Sequence, residues 1–191
     1  MRICWVAVIL SFFLGGCANL SEKGGGASLA ASPDKLTRWD LEGRIGLRSS
    51  GDSWQANLHW SHEARQDRLR LSGPFNQGLV SIVVQDDLIL INEGEGVSHL
   101  AHDPDAYLRE RLGFVVPLKS LRFWILGAPD PSQPVSLLSS VEESSGGFDQ
   151  GAWKVRSRES QFVGGYKVPG RLEIEGQGIR LKIIIDQWKP T

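Results

Sequence analysis

The side chains able to do chemistry are few, and their spacing argues against catalysis. His59 and His62 form one His-x-x-His, and His99 and His102 form another. Residues three apart in a strand point to opposite faces, so the first pair is a poor chelate. The second pair falls in a stretch that reads as a solvated loop, and no metal is expected at either. Glu142-Glu143 and Asp86-Asp87 resemble paired acids for general acid–base work, yet both lie where turns are expected and charge is ordinary. Gly94-Glu95-Gly96 lacks the third glycine of a dinucleotide turn and reads as a plain hairpin. The chain holds neither a Gly-x-Ser-x-Gly elbow nor a P-loop. The expectation is a protein that is not an enzyme and takes no cofactor.

Two other features carry chemistry of a different kind. In Gly73-Pro74-Phe75-Asn76-Gln77-Gly78 a large apolar ring stands in the middle of turn-forming residues, where the backbone belongs at the surface. Phe75 either folds back as a hairpin plug or is a membrane- or ligand-seeking tip. The second feature is the start of the chain. Met1-Arg2 is a short charged opening, and Ile3 to Leu14 is an almost unbroken apolar run of 12 residues. A bilayer core needs about 20 residues in a helix, so the run reads as a secretory signal peptide over 1–16. Leu14-Gly15-Gly16-Cys17 resembles the processing site of bacterial lipoproteins, which makes Cys17 the expected lipid attachment point. Cys4 leaves with the signal and Cys17 is blocked by lipid, so the exported chain keeps no disulfide. Residue 18 is Ala and no Asp follows Cys17, a pattern that in such lipoproteins goes with the outer membrane.

These features have to be positioned by a folded body. Lys and Arg number 21 against 22 Asp and Glu, so there is no basic surplus to attract nucleic acid. The 22 glycines and 7 tryptophans suit an all-β chain with tight turns better than a helical bundle. Residues 17–36, with Gly24-Gly25-Gly26 at their centre, show no hydrophobic period and read as a flexible tether. About 15 such residues reach roughly 20 Å. From residue 37 to 191 a single domain is expected.

Trp39, Leu41, Gly43, Ile45 and Leu47 alternate with polar residues as one half-buried strand, and Trp54, Ala56, Leu58 and Trp60 repeat the device after the turn Ser49-Ser50-Gly51-Asp52. Strands are expected over 68–72, 79–85 and 88–91. The runs around Ile82-Val83-Val84 are apolar on both faces and call for cover on both sides. Asp103 as N-cap, Pro104 at the first helical position and Gly113 as stop predict one short helix, and Leu118 to Leu126 predicts a second with Leu118, Leu121 and Ile125 on one stripe. A hairpin over Gly151 and strands at 172–175 and 179–185 complete a sheet with a helical lid. The candidates for an apolar hollow are Trp54, Leu58, Trp60, Leu71, Ile82, Val84, Leu121, Trp124 and Ile125. Parity is set within each strand, but which face is the inner one stays open.

By this point a resemblance is specific. It is carried by Trp39 to Gly46, Asn57-Leu58-His59-Trp60, Leu71-Ser72-Gly73-Pro74-Phe75, and Val116-Pro117-Leu118 with Leu121, Trp124, Gly127 and Pro129. Gln150 with Trp153-Lys154-Val155, Pro169 with Leu172, and Ile179-Arg180-Leu181-Lys182 with Trp188 continue it. The pattern is similar to the LolB family. That resemblance implies an incomplete, unclosed antiparallel β-barrel of about eleven strands, mainly β, with short helices covering the opening of an apolar cavity. It also implies an outer-membrane-anchored receptor, acting as a monomer, that takes acylated lipoproteins from a soluble periplasmic carrier (LolA-like). The cargo's acyl chains and outer membrane lipid are then its partners, and no nucleotide is hydrolysed. The family's protruding loop carries a membrane-inserting Leu after the Pro; here the corresponding residues are Pro74, Phe75 and Asn76, with Asn76 where a Gly often stands. The alternative is a lipid-anchored β scaffold of the cell envelope with no lipid-binding cavity.

Overall fold

The computed structural model describes residues 32–73, 78–94, 96–112, 117–137 and 146–190. Cys17, the tether up to residue 31, the loop residues Pro74, Phe75 and Asn76, and Glu142-Glu143 lie outside them. After a 3-10 turn at Pro33–Lys35, the first half of the chain is β1 (Arg38–Arg48), β2 (Ser53–Glu63), β3 (Gln66–Ser72), β4 (Val80–Gln85), β5 (Leu88–Asn92) and β6 (Ser98–His102). Two helices follow, α1 (Pro104–Leu112) and α2 (Leu118–Trp124). The second half is β7 (Ser136–Leu137), β8 (Gly146–Gln150), β9 (Trp153–Arg158), β10 (Gln161–Val163), β11 (Tyr166–Val168), β12 (Arg171–Gly176) and β13 (Ile179–Pro190).

Among the described residues these strands make one eleven-stranded antiparallel sheet in the order β6-β5-β4-β3-β2-β1-β13-β12-β9-β8-β7, and a separate β10-β11 hairpin. β6 and β7 are its free edges, so the barrel is unclosed, as expected. The register explains the core. Trp39 opposes His62, which opposes Asp67, then Val84 and Ile89. One row along, Leu41, Trp60, Leu69, Ile82 and Ile91 align, and all of these residues are buried. Because parity is shared across paired strands, one apolar face curls around a single core.

β1 is the seam between the two halves, paired with β2 on one side and β13 on the other. The β1–β13 register shifts between Glu42 and Gly43. A Cβ on Gly43 would lie 2.1 Å from the Ile184 carbonyl oxygen, so only glycine lets the two backbones approach there. Asp103 accepts the Ala106 N–H at 3.2 Å and caps α1 as expected. Past α2, Gly127 turns the chain at φ +78.

Three expectations are corrected, and short strands appear where none was expected. Residues 98–102, read as a loop, form the edge strand β6, because pairing with β5 supplies the order that its weak composition does not. His99 and His102 thus sit on opposite faces of a strand. The three-residue arms of the β10-β11 hairpin and the two-residue β7 are too short to show a period. The strands that are apolar on both faces are covered on one only. The helices pack on the inner face, with the Tyr107 ring 6.4 Å from that of His99, while Leu90 and Leu100 on the outer face are 41% and 68% exposed. Finally, Trp54 has the inner parity yet is exposed, because β3 pairs with β2 only from Asn57 onward and nothing in that strand reaches it.

Candidate functional site

The period-two faces of β1 to β4 present Trp39, Trp60, Leu69 and Val84 to the inside, and α2 with the turn after it lays Leu118, Phe123 and Leu126 across them. Between the two lies a cavity of about 550 Å³, within the roughly 300–1,000 Å³ usual for small-ligand sites. Its floor is aromatic: Trp39 meets Trp60 edge-on at 5.3 Å and Trp188 at 5.6 Å, and stacks on His62 at 5.4 Å. Edge-to-face packing of this kind fixes ring orientation beyond what area alone would do.

One wall carries a buried polar pole. Asp67, 6% exposed, accepts the Trp60 Nε1–H at 2.9 Å and lies 3.0 Å from His62 Nδ1 through the same oxygen. Its other oxygen faces Arg122 at 3.7 Å, and the Arg122 guanidinium stands over the Phe123 ring at 4.8 Å. A buried carboxylate is tolerable because these donors surround it. The rim is set by Arg65 paired with Asp86 at 2.7 Å and by the Lys119–Asp87 pair. The hydrogen bond from Lys119 holds the Asp87 carboxyl below its ordinary pKa and raises that of the ammonium.

α2 is positioned by two sets of bonds. In front, Asp105 of α1 accepts the Leu118 N–H at 3.2 Å, and burial raises the pKa of that carboxyl. Behind, Gln150 is completely buried: its Oε1 accepts from Trp124 Nε1 at 2.8 Å and from the Asp130 N–H at 2.9 Å. Its Nε2 donates to the carbonyls of Asp130 at 2.8 Å and Gln133 at 3.1 Å. Burial by itself would raise the pKa of Asp130, but hydrogen bonds from Ser132 and Ser120 outweigh it and leave the carboxyl below the ordinary range.

Of the residues expected around a hollow, Trp60 and Val84 line this one. Leu58, Ile82, Leu121, Trp124 and Ile125 are buried in the core, and Leu71 is half-buried against it. Trp54 stands at the far end of β2. Trp39, Asp67, Arg122 and Phe123 were missed as site residues. His62 and Asp67 were within reach, since a two-residue turn at Ala64-Arg65 puts them opposite each other. Arg122 was not, because its place depends on how α2 docks.

The outer face offers a larger depression, about 890 Å³, walled by Glu42, Arg44, His59, Arg70 and Asp186; its charge suits water better than hydrocarbon. His59 lies there, on the face opposite His62, with Nε2 2.9 Å from Asp40. Asp40, Glu42 and His59 bring one ligand atom each within 4.8 Å of one another, but Glu42 is committed to Lys189 at 2.8 Å. They form a solvated ion-pair cluster.

An open antiparallel sheet curled over an aromatic-floored hollow, with helices on its inner side, defines a class: the unclosed half-barrel with a cavity under its helices. Solved structures share the fold. A LolA superfamily protein, NE2245, from Nitrosomonas europaea superposes with a TM-score of 0.51 at 9% identity, covering 87% of this chain and 93% of that one. A DUF1329 family protein from Desulfovibrio piger gives 0.52 at 7% identity over 83% and 87%. Within that class the chain belongs to the family of outer membrane lipoprotein LolB, whose model matches residues 37–188. Relatives called outer-membrane lipoprotein LolB include one from Nitrosococcus oceani, 26% identical over 99% of both chains. Another, from Ectopseudomonas mendocina, is 28% identical over 93% of this chain and 91% of its own.

Proposed function

We propose that the protein is an outer-membrane receptor of lipoprotein localisation, which accepts acylated lipoproteins from a soluble periplasmic carrier of the LolA type and delivers them to the outer membrane. The observation that carries this reading is the aromatic-floored cavity under α2 in a chain of the LolB family. Residues 1–16 are then the leader, Cys17 bears the lipid, 17–36 tether the domain, and the half-barrel works as a monomer.

The energetics need no fuel. Each methylene taken from water is worth about 0.8 kcal/mol, so acyl chains do not cross the periplasm bare. A receptor has only to hold them more tightly than the carrier does, and each 1.4 kcal/mol of difference is about tenfold. Phe75 serves as the membrane tip on this reading. The strand ends that carry its loop, Ser72 and Val80, lie at the end of the sheet opposite the cavity rim at Arg65, Asp86 and Asp87. Engagement of the bilayer by that end leaves the rim free for a carrier.

The test is a transfer assay. Full-length chain with Cys17→Ala is mixed with carrier loaded with a triacylated lipoprotein, and the cargo is pulled down without ATP. Cargo moving to the chain supports the receptor reading. Cargo remaining on a carrier that unloads to other acceptors sinks it in favour of a lipid-anchored scaffold.

A further inference from the structure

The outer face of the sheet is divided in its chemistry. Over β1, β12 and β13 it is laced with ion pairs: Arg44 with Asp186 at 2.9 Å, Lys189 with Glu42 at 2.8 Å, and Arg180 with Glu175 at 2.7 Å. Over β3 to β6 the pattern changes. The register aligns Arg68, Val83, Leu90 and Leu100 across these four strands, all pointing away from the core. Leu88 belongs to the outward row on one side of this one and Arg70 to the row on the other. Within the four strands, none of these three rows contains an Asp or Glu. Acids appear only in the turns at the two ends, where Asp86 and Asp87 are paired with Arg65 and Lys119 and Glu93 begins the β5–β6 turn. Arg68 and Arg70 are exposed, and neither has an ion-pair partner among the described residues.

The leucines on this face are in water. Leu88, Leu90 and Leu100 are 39%, 41% and 68% exposed, and Leu79, one residue before β4, carries the apolar strip to the end of the sheet at 50%. Four strands about 4.8 Å apart make the strip roughly 14 Å wide. β6 is also a free edge of the sheet, and sheets ordinarily guard such an edge with charge. Here its most outward side chain is Leu100. Aliphatic side chains beside unpaired arginines, with no carboxylate among them, match the headgroup region of an anionic bilayer: the guanidinium groups pair with phosphate and the leucines reach the acyl boundary. A bilayer is also within reach. The described chain begins at Ser32, so about 15 residues separate it from Cys17, a span of roughly 20 Å. A face held that close meets the lipid at high effective concentration, and weak contacts then suffice.

We propose that the outer face of β3 to β6 is a docking surface for anionic lipid, on which the tethered domain lies with Arg68 and Arg70 against phosphates and Leu88, Leu90 and Leu100 at the headgroup–acyl boundary. This rests on the reading of the chain as lipid-anchored at the outer membrane and is independent of cargo binding. The cavity is on the inner face, with its rim at the end of the strands, so this pose leaves it open to a carrier.

The experiment uses the full-length chain with Cys4→Ser and Cys17→Ala, which leaves no thiol, and vesicles of phosphatidylcholine with or without phosphatidylglycerol. A nitrobenzoxadiazole probe is attached at Leu100→Cys or, as control, at Glu175→Cys on the ion-paired half. Vesicles containing phosphatidylglycerol should raise the emission at position 100 and shift it to the blue, with position 175 unchanged. The double variants Arg68→Gln/Arg70→Gln and Leu90→Ser/Leu100→Ser, unlabelled, should each weaken vesicle partitioning about tenfold. The arginine pair should also remove the dependence on phosphatidylglycerol, and both should keep the melting temperature and the uptake of diphenylhexatriene near wild type. The response at position 100 should persist in Phe75→Glu, which separates the face from the loop. Vesicle binding with a silent probe at position 100, a response lost with Phe75→Glu, or wild-type partitioning by both double variants overturns the proposal. None of these touches the receptor reading, which fails instead by cargo staying on its carrier while the vesicle response is intact. A dimer in sedimentation without lipid, dissociated by Leu90→Ser/Leu100→Ser, overturns the proposal in favour of a second copy paired along β6.

Discussion

Replacing Gln150 by Leu tests the idea that a single buried amide holds α2 over the cavity. The side chains are close in volume, so the change leaves the space filled and removes four hydrogen bonds of 2.8 to 3.1 Å. Two donors, the Trp124 Nε1–H and the Asp130 N–H, lose their partner in a site where Gln150 and Trp124 are 0% and 1% exposed. Each stranded donor costs about 1–3 kcal/mol, and the two freed carbonyls add less because each keeps a second lone pair to rearrange. The expected loss is therefore roughly 3–4 kcal/mol, or about 6–16 °C in melting temperature for a domain of this size. Urea unfolding followed by tryptophan fluorescence measures it, with the slope m checked for constancy. The substitution should also loosen Phe123 and Leu126 and weaken uptake of an apolar dye. A loss under about 1 kcal/mol with dye uptake unchanged would refute the reasoning, because the amide would then be a bystander and α2 would be held by its apolar stripe and its bonds to Asp105 and Asp130.

Other outcomes follow from the same geometry. Gly43→Ala should destabilise by about 1–3 kcal/mol or more, since its Cβ meets the Ile184 carbonyl at the β1–β13 seam; a wild-type urea midpoint would contradict this. Asp130 has a folded-state pKa below its unfolded one, so its ionised form is favoured by folding. That stability is present above the ordinary carboxylate range and is lost as pH falls through it toward the folded value. Urea midpoints should thus drop with acidification across that window more steeply in the wild type than in Asp130→Asn, and parallel profiles would count against the shift. Phe75→Glu should leave folding and cargo uptake intact but block delivery into liposomes, removing a contribution of up to about 1.5–3 kcal/mol from a ring buried in lipid; normal delivery by that variant would end the insertion role.

Much of the sheet was legible because period-two alternation is a local signal. β1, β2 and the β8-β9 hairpin over Gly151 fall where apolar spacing and turn residues put them. The edge strand β6 and the β10-β11 hairpin were not legible, since five or three residues of mixed composition become strands only by pairing. The site was half legible. Trp60 and Val84 could be named as cavity residues from their apolar strands, but so could Ile82 and Leu58, which the same parity sends into solid core.

What the amino-acid sequence determined by itself is whatever depends on neighbours along the chain: the strands, the two short helices with their Asp103 cap and Gly127 stop, and the order of side chains on each face. What only the tertiary structure decided is which apolar residues bound a hollow and which fill it. That depends on where α2 comes to rest, and its resting place is set by contacts from residues far apart in sequence: Asp105 to Leu118, Trp124 to Gln150, Ser120 to Asp130. The same docking brings Arg122 to Asp67. Periodicity counts distance in residues, whereas a cavity is a distance between elements.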